Sequence, residues 1–305
     1  MATRSIQNSP SRYSGSVSSA KVVKVALTYL VSTVLAAMFI FPFFYTVMSS
    51  LKAPWEVYTY PPTLIPQKLL FQNYPKAMTM APFLIWFKNT VMMVFLSTLG
   101  TVFGASLAAF GFARFRFRFR DILFVITLST MMMPAQVTLI PRFILFYKIG
   151  EWSGVPFLNT LTPLWLPAWF GGGAFGIFLL RQFIQTIPLE LDEAALIDGS
   201  SWVRIFSTII MPLCKPAVAT LAIITVVAQW NSFVEPLIYI NDPAKFPISV
   251  GLQYFQNTFE GMELGEPKLQ YLMAASVVSS AVPIAIFFAF QQYFVQGVVM
   301  SGIKG

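Results

Sequence analysis

The stretch 188–212, PLELDEAALIDGSSWVRIFSTIIMP, interrupts a chain that is otherwise written for lipid. Glu190, Asp192, Glu193 and Asp198 fall within nine positions, with long apolar runs on either side. Pro188 suits the first turn of a helix, where its missing N–H has no partner to lose. Glu190, Asp192 and Glu193 in that turn complement the positive end of the helix dipole. Gly199 supplies a left-handed stop, after which Ser200 or Ser201 can cap a second helix. There Trp202, Ile205, Phe206, Ile209 and Ile210 recur at helical spacing, with Arg204, Ser207 and Thr208 opposite. Pro212 ends that helix and Pro216 opens the next apolar run. The reading is a helix, a glycine turn and an amphipathic helix lying along the membrane face. The first helix has no wide apolar stripe of its own, and Ala194 and Ala195 let another surface approach closely. A helix of about 11 residues is marginal alone in water, so it calls for a docking partner. The alternative is a solvated loop with helical pattern.

The rest of the chain says why a membrane face is near. Of 305 residues, 56% are hydrophobic and 10% charged, where a soluble domain carries about 25% charged residues. Thirty-one Phe and seven Trp suit interfacial aromatic belts. There is no histidine, and Cys214 is the only cysteine, which excludes His-based triads, zinc clusters and an intrachain disulfide. The net charge of +8 is read as basic residues gathered at one membrane face, not as nucleic-acid binding. Residues 1–24 read as a disordered, Ser-rich N-terminus. The run Val25 to Leu51 carries no charge and exceeds the 7–15 or so residues of a signal core, so it is a first span and not a leader.

Six spans follow at about 25–48, 89–113, 122–141, 159–180, 216–239 and 271–295, each close to the 20 or so apolar residues a bilayer requires. Together they make 25–295 an all-α integral membrane bundle, with a loop at 181–215 and a tail at 296–305. Pro134, Pro163, Pro167 and Pro283 inside the runs predict kinks, since neighbouring helices can satisfy the freed backbone groups. Gly172 and Gly176, four apart, predict close helix packing, with a hinge as the alternative. With both termini inside, the inner segments hold 12 of the 20 basic residues, which places 181–215 in the cytoplasm. ARFRFRFRD at 113–121 reads as an anchor whose Arg heads snorkel while the Phe rings hold the interface; a phosphate clamp is the sharper alternative.

Glu193-Ala194-Ala195, then Gly199, Ile209 and Pro212 at their spacing, resemble the EAA signature of binding-protein-dependent ABC importer permeases, with Met211 where that signature has Leu. Four further stretches resemble the carbohydrate-uptake branch of the MalG type: NTVMMVFLSTLGTVFGASLAAFGFARF at 89–115, MMMPAQVTLIPRFILFYKIG at 131–150, QWNSFVEPLIYI at 229–240 and QQYFVQGVVMSGIKG at 291–305. The resemblance implies a six-helix subunit of the bacterial or archaeal cytoplasmic membrane. It implies a second permease, two ATP-binding subunits carrying ATP and Mg, and an extracytoplasmic binding protein that delivers sugar. It makes the EAA helix, with Glu190 and Asp198 in support, the coupling helix to the ATPase. This chain has no G-x-x-x-x-G-K-[ST] phosphate loop of its own, so it is read as a transport subunit without ATPase site, cofactor or metal.

Among the spans the interior reads as nearly free of charge, with Glu235 the exception. Glu235 could bond sugar hydroxyls, or stabilise the break before Pro236, or pair with a partner chain. Gln229, Trp230 and Asn231 form a polar and aromatic step beside it that suits a neutral polyhydroxy solute, and Gln136 is a further candidate. Outer segments 52–88 and 241–270, the latter through Tyr254 or Phe255, are candidates for touching the delivery protein. The alternatives are an ion-coupled secondary transporter of a neutral solute, which would call for more intramembrane charge and inverted repeats, and an ABC importer for a polyol or glycerol phosphate.

Overall fold

Helix Ser19–Ser50 takes in the charge-free run after Lys24 together with residues 19–24 of the N-terminus expected to be disordered, and none of the residues in its most apolar window is buried within the chain. That surface is stable only against lipid or another polypeptide. In this computed structural model, which describes residues 19–260 and 268–302, the described residues form helices and turns without a strand. The chain is an all-α membrane bundle. Residues 1–18 of the expected N-terminal tail, 261–267 of the second outer segment and 303–305 of the C-terminal tail lie outside the described residues.

Four helices are long and apolar enough to cross a bilayer by themselves: Val23–Ser50, Phe83–Arg114, Thr162–Gln185 and Leu269–Gln291. Two helix pairs, each bent at a break, are further candidate spans or re-entrant segments. Arg120–Met132 and Ala135–Ser153 meet at 102°, and Trp202–Leu213 and Lys215–Trp230 meet at 77°. Pro134 lies at the first break. The second falls at Cys214 and not at Pro212, which sits in the short turn Met211–Leu213. Pro141 and Pro283 lie inside continuous helices. Pro163 and Pro167 each occupy an opening position, of Thr162–Trp165 and of the 3-10 turn Leu166–Trp169, where proline has no hydrogen bond to lose.

Helix Phe83–Arg114 is the spine. Its 32 residues rise about 48 Å, and it packs against Ala174–Gln185, Lys215–Trp230 and the turns over 162–169. Small residues permit that approach. A Cβ on Gly104 would lie 2.8 Å from the Gly172 nitrogen, and one on Gly172 would collide with the Thr101 carbonyl. One on Gly176 would meet the Ala105 Cβ at 3.0 Å. Gly171, Gly172 and Gly173 all have positive φ, so this turn is both left-handed and crowded.

Two buried clusters divide the bundle along the spine. Phe83, Trp86, Met93, Leu164, Trp230 and Tyr239 belong to one, and Ala105, Phe110, Leu180, Ile184, Ile205 and Ile210 to the other. The segments expected outside fold into a cap. Glu56 and Lys52 are buried there. Glu56 Oε1 accepts from the Gln67 backbone N–H at 2.9 Å, Lys52 donates to the Thr63 carbonyl, and Asn73 Nδ2 donates to the carbonyls of Ser50 and Lys52. Trp86 Nε1 donates to the Pro243 carbonyl at 2.7 Å. Of the two residues expected to face a delivery protein, Tyr254 is exposed and Phe255 is buried.

Candidate functional site

The acidic stretch forms helix Glu190–Ile197, shorter than the sequence pattern implies because Pro188 and Leu189 precede its first full turn. Its C-terminus is closed by two bonds. The Ser200 N–H reaches the Ala195 carbonyl at 2.9 Å and the Gly199 N–H reaches the Leu196 carbonyl at 3.0 Å, with Gly199 at φ +79°. This is the Schellman arrangement, and it depends on a residue that tolerates the left-handed region. Ser201, not Ser200, caps the second helix: its Oγ accepts from the Arg204 N–H.

That second helix departs from the α geometry expected of it. Trp202–Arg204 is α-helical, but Ile205–Ile210 winds as a π-helix before Met211–Leu213. Ile205 and Ile210 are both fully buried, five residues apart, which is the π repeat. Ile209 is half-buried and Pro212 exposed. This segment packs Ile205 and Ile210 into the protein cluster of Phe110, Ile184 and Leu180. Trp202 makes ring contacts with Phe110 and Phe115.

Two residues of the acidic helix are buried, Asp192 and Ala195. Ala195 enters the cluster of Phe110, Leu180 and Ile205. Asp192 Oδ2 lies 2.6 Å from Arg114 Nε, and both side chains are 3% exposed. Arg114 also donates from Nη2 to the Ile187 carbonyl at 3.0 Å. Burial raises the Asp192 carboxyl above its ordinary value, the Arg114 guanidinium opposes that rise, and Glu193 adds to it. Asp192 therefore does more than complement a dipole, and Arg114 does not snorkel with Arg116 and Arg118, which are exposed. The remaining face of the helix is open: Glu190, Glu193, Ala194 and Asp198 are exposed, and Ile197 is 86% exposed.

The candidates for a solute path are not brought together as one site. Trp230 is buried, with its ring edge-to-face against Phe87 at 5.8 Å. Asn231 is exposed and turns its Nδ2 back onto the Val227 carbonyl, closing helix Lys215–Trp230. Gln229 is half-buried in the last turn of that helix. Gln136 is exposed near the start of Ala135–Ser153, and its side chain makes no hydrogen bond to the other four. Glu235 opens the short helix Val234–Tyr239, and its Oε1 lies 2.5 Å from Arg142 Nη2, with the two side chains 28% and 30% exposed. The pairing lies within this chain. It corrects the picture of an interior charged only at Glu235. Sequence reasoning misses Arg142 because Pro141 reads as the end of a span, whereas the helix runs on to Ser153.

Residues 100–300 match the family described as binding-protein-dependent transport system inner membrane component. The chain belongs to that family. It is 30% identical over 290 residues, 93% of this chain and 97% of the relative, to the arabinooligosaccharides transport system permease protein AraQ of Bacillus subtilis. It is 31% identical over 271 residues, 87% and 92%, to the sn-glycerol-3-phosphate transport system permease protein UgpE of Salmonella typhi. In fold it is similar to a chain of a bacterial ABC transporter involved in the import of the acidic polysaccharide alginate, with TM-score 0.78, 21% identity and coverage of 91% and 98%. A second likeness, TM-score 0.63 at 17% identity over 88% and 94%, is to the alginate transporter in complex with its pentasaccharide-bound periplasmic protein. This chain is accordingly a multi-pass inner-membrane permease of the ABC importer type, with the type I permease fold.

Proposed function

We propose that this permease pairs with a second permease to form the membrane pathway for a di- or oligosaccharide handed over by an extracytoplasmic binding protein. Helix Glu190–Ile197 rests in a cleft of one of two ATP-binding subunits, which bind ATP and Mg and carry out hydrolysis. On this reading residues 25–295 are the transport domain, 181–215 the cytoplasmic coupling loop, and both termini, including the tail 296–305, lie in the cytoplasm. The observation that carries it is the two-faced acidic helix: Asp192 and Ala195 are held by the bundle while Glu193, Ala194 and Ile197 stand open. Such a short, exposed helix is stable as a docking element and wasteful as a loop. Closure of the ATP-binding pair then biases an equilibrium between inward-open and outward-open bundles.

A sugar is favoured by the names of AraQ and of the alginate importer, and UgpE supplies the second reading, a glycerol phosphate. The Arg142–Glu235 pair leaves no net charge at that point, which favours a neutral solute over a phosphate ester. Gln229, Asn231, Glu235 and Gln136 remain the residues assigned to the path, without converging on one point, and the buried Trp230 supports Gln229 and Asn231 from the core. Transport reconstituted in vesicles with the partner subunits tests the reading. Glu193→Lys and Gly199→Asp should abolish uptake and solute-stimulated ATP hydrolysis, and unchanged rates would overturn it.

A further inference from the structure

What a docked helix can move depends on which of its residues are held by the bundle. Ala195 is held by the cluster of Ile205 and Ile210, a route that continues through Met211–Leu213 into Lys215–Trp230. Asp192 has another destination, the last residue of the spine helix Phe83–Arg114. We infer that the Arg114–Asp192 ion pair is a positioning joint that makes the acidic helix and the spine helix one moving body, so that displacement of the acidic helix reaches the second span directly. This rests on the docking proposed above.

Three observations support a joint over an incidental contact. First, both side chains are 3% exposed, and a buried pair resists separation because parting it strands two charges away from water; a solvated pair offers little such resistance. Second, one guanidinium holds two points. Nε lies in ion-pair contact with the Asp192 carboxylate, without hydrogen-bond alignment, and Nη2 donates to the Ile187 carbonyl, so the chain entering the acidic helix and that helix's first turn both meet one guanidinium. Third, the spine continues the connection to the other side. Near its start Trp86 Nε1 donates to the Pro243 carbonyl and Thr90 Oγ1 accepts from the Ile248 N–H, both at 2.7 Å. A single helix of about 48 Å thus links the acidic loop to the outer segment.

The test uses the assembled transporter with spin labels on cysteines at Arg116, just past the spine, and Leu191, on the flank of the acidic helix. Both positions are exposed, and the native Cys214 is buried. With the pair intact, adding Mg and a non-hydrolysable ATP analogue should leave the inter-label distance unchanged. In Arg114→Met with Asp192→Leu, which removes both charges without orphaning either, the same addition should shift it. Solute taken up per ATP hydrolysed should then fall about tenfold, within the span of ordinary energetic couplings. Arg114→Lys should keep part of that ratio. A purely structural pair would lower the amount of assembled transporter while leaving the ratio alone, and that result overturns the inference. So does a nucleotide-driven shift with the pair intact. If Glu193→Lys abolishes uptake while the joint variants transport normally, this inference alone fails; if Glu193→Lys is silent, the docking fails.

Discussion

Arg114–Asp192 and Arg142–Glu235 are both arginine–carboxylate pairs joining separate helices, yet they are set into the bundle differently. The first closes the end of the spine helix and is sealed, at 3% exposure on each side. The second lies in the other half of the bundle, close to Tyr239, and is about 30% exposed on each side. A sealed pair can only hold protein to protein. A half-open pair still presents oxygen and nitrogen to whatever shares its space, whether a solute or another subunit. On the proposed docking, mechanical work falls to Arg114–Asp192, and Arg142–Glu235 is left available for recognition.

The largest effect expected from breaking this contrast is at the sealed pair. Asp192→Ala or Arg114→Ala should destabilise the purified permease by about 3–5 kcal/mol, because each leaves a buried charge without its partner, and thermal unfolding in detergent measures it. Gly172→Ala comes next, at about 2–3 kcal/mol, since the new Cβ would meet the Thr101 carbonyl from a left-handed backbone. Gly199→Ala sharpens the point. Its φ is also positive but nothing lies within reach of a Cβ, so only the conformational cost of about 1–2 kcal/mol remains. Glu235→Gln should cost about 1 kcal/mol or less while changing the apparent affinity for solute in uptake assays, because half-open charges contribute little to stability. Glu193→Lys should leave unfolding within about 0.5 kcal/mol of the parent and still abolish uptake. If Glu235→Gln proves as destabilising as Asp192→Ala, the contrast between the pairs is lost.

Local features of the acidic loop can be read directly from residues. Gly199 turns because only a left-handed residue closes that helix, and Ser201 caps because a hydroxyl stands before an apolar helical run. The apolar runs likewise mark where helices form. Features set by distant contacts are not legible in this way. Asp192 lies 78 positions beyond Arg114 in the chain, and its acidity looks like a dipole effect because three acids share the turn. The π-helix over 205–210 is hidden since Ile205, Phe206, Ile209 and Ile210 also fit an α stripe; the full burial of Ile205 and Ile210, with Phe206 and Ile209 only half-buried, distinguishes the two windings. Arg142 reads as a loop residue because a proline precedes it, although a bent span keeps that proline inside a helix.

The docking of Glu190–Ile197 is tested most directly by placing a cysteine at Ile197, the most exposed large apolar side chain of that helix, in the assembled transporter. A bifunctional thiol reagent should join it to the ATP-binding subunit, with a yield that changes when nucleotide is added. Failure to form that adduct, with Ile197→Cys labelled by a water-soluble thiol reagent equally well with and without the ATP-binding subunits, would contradict the account.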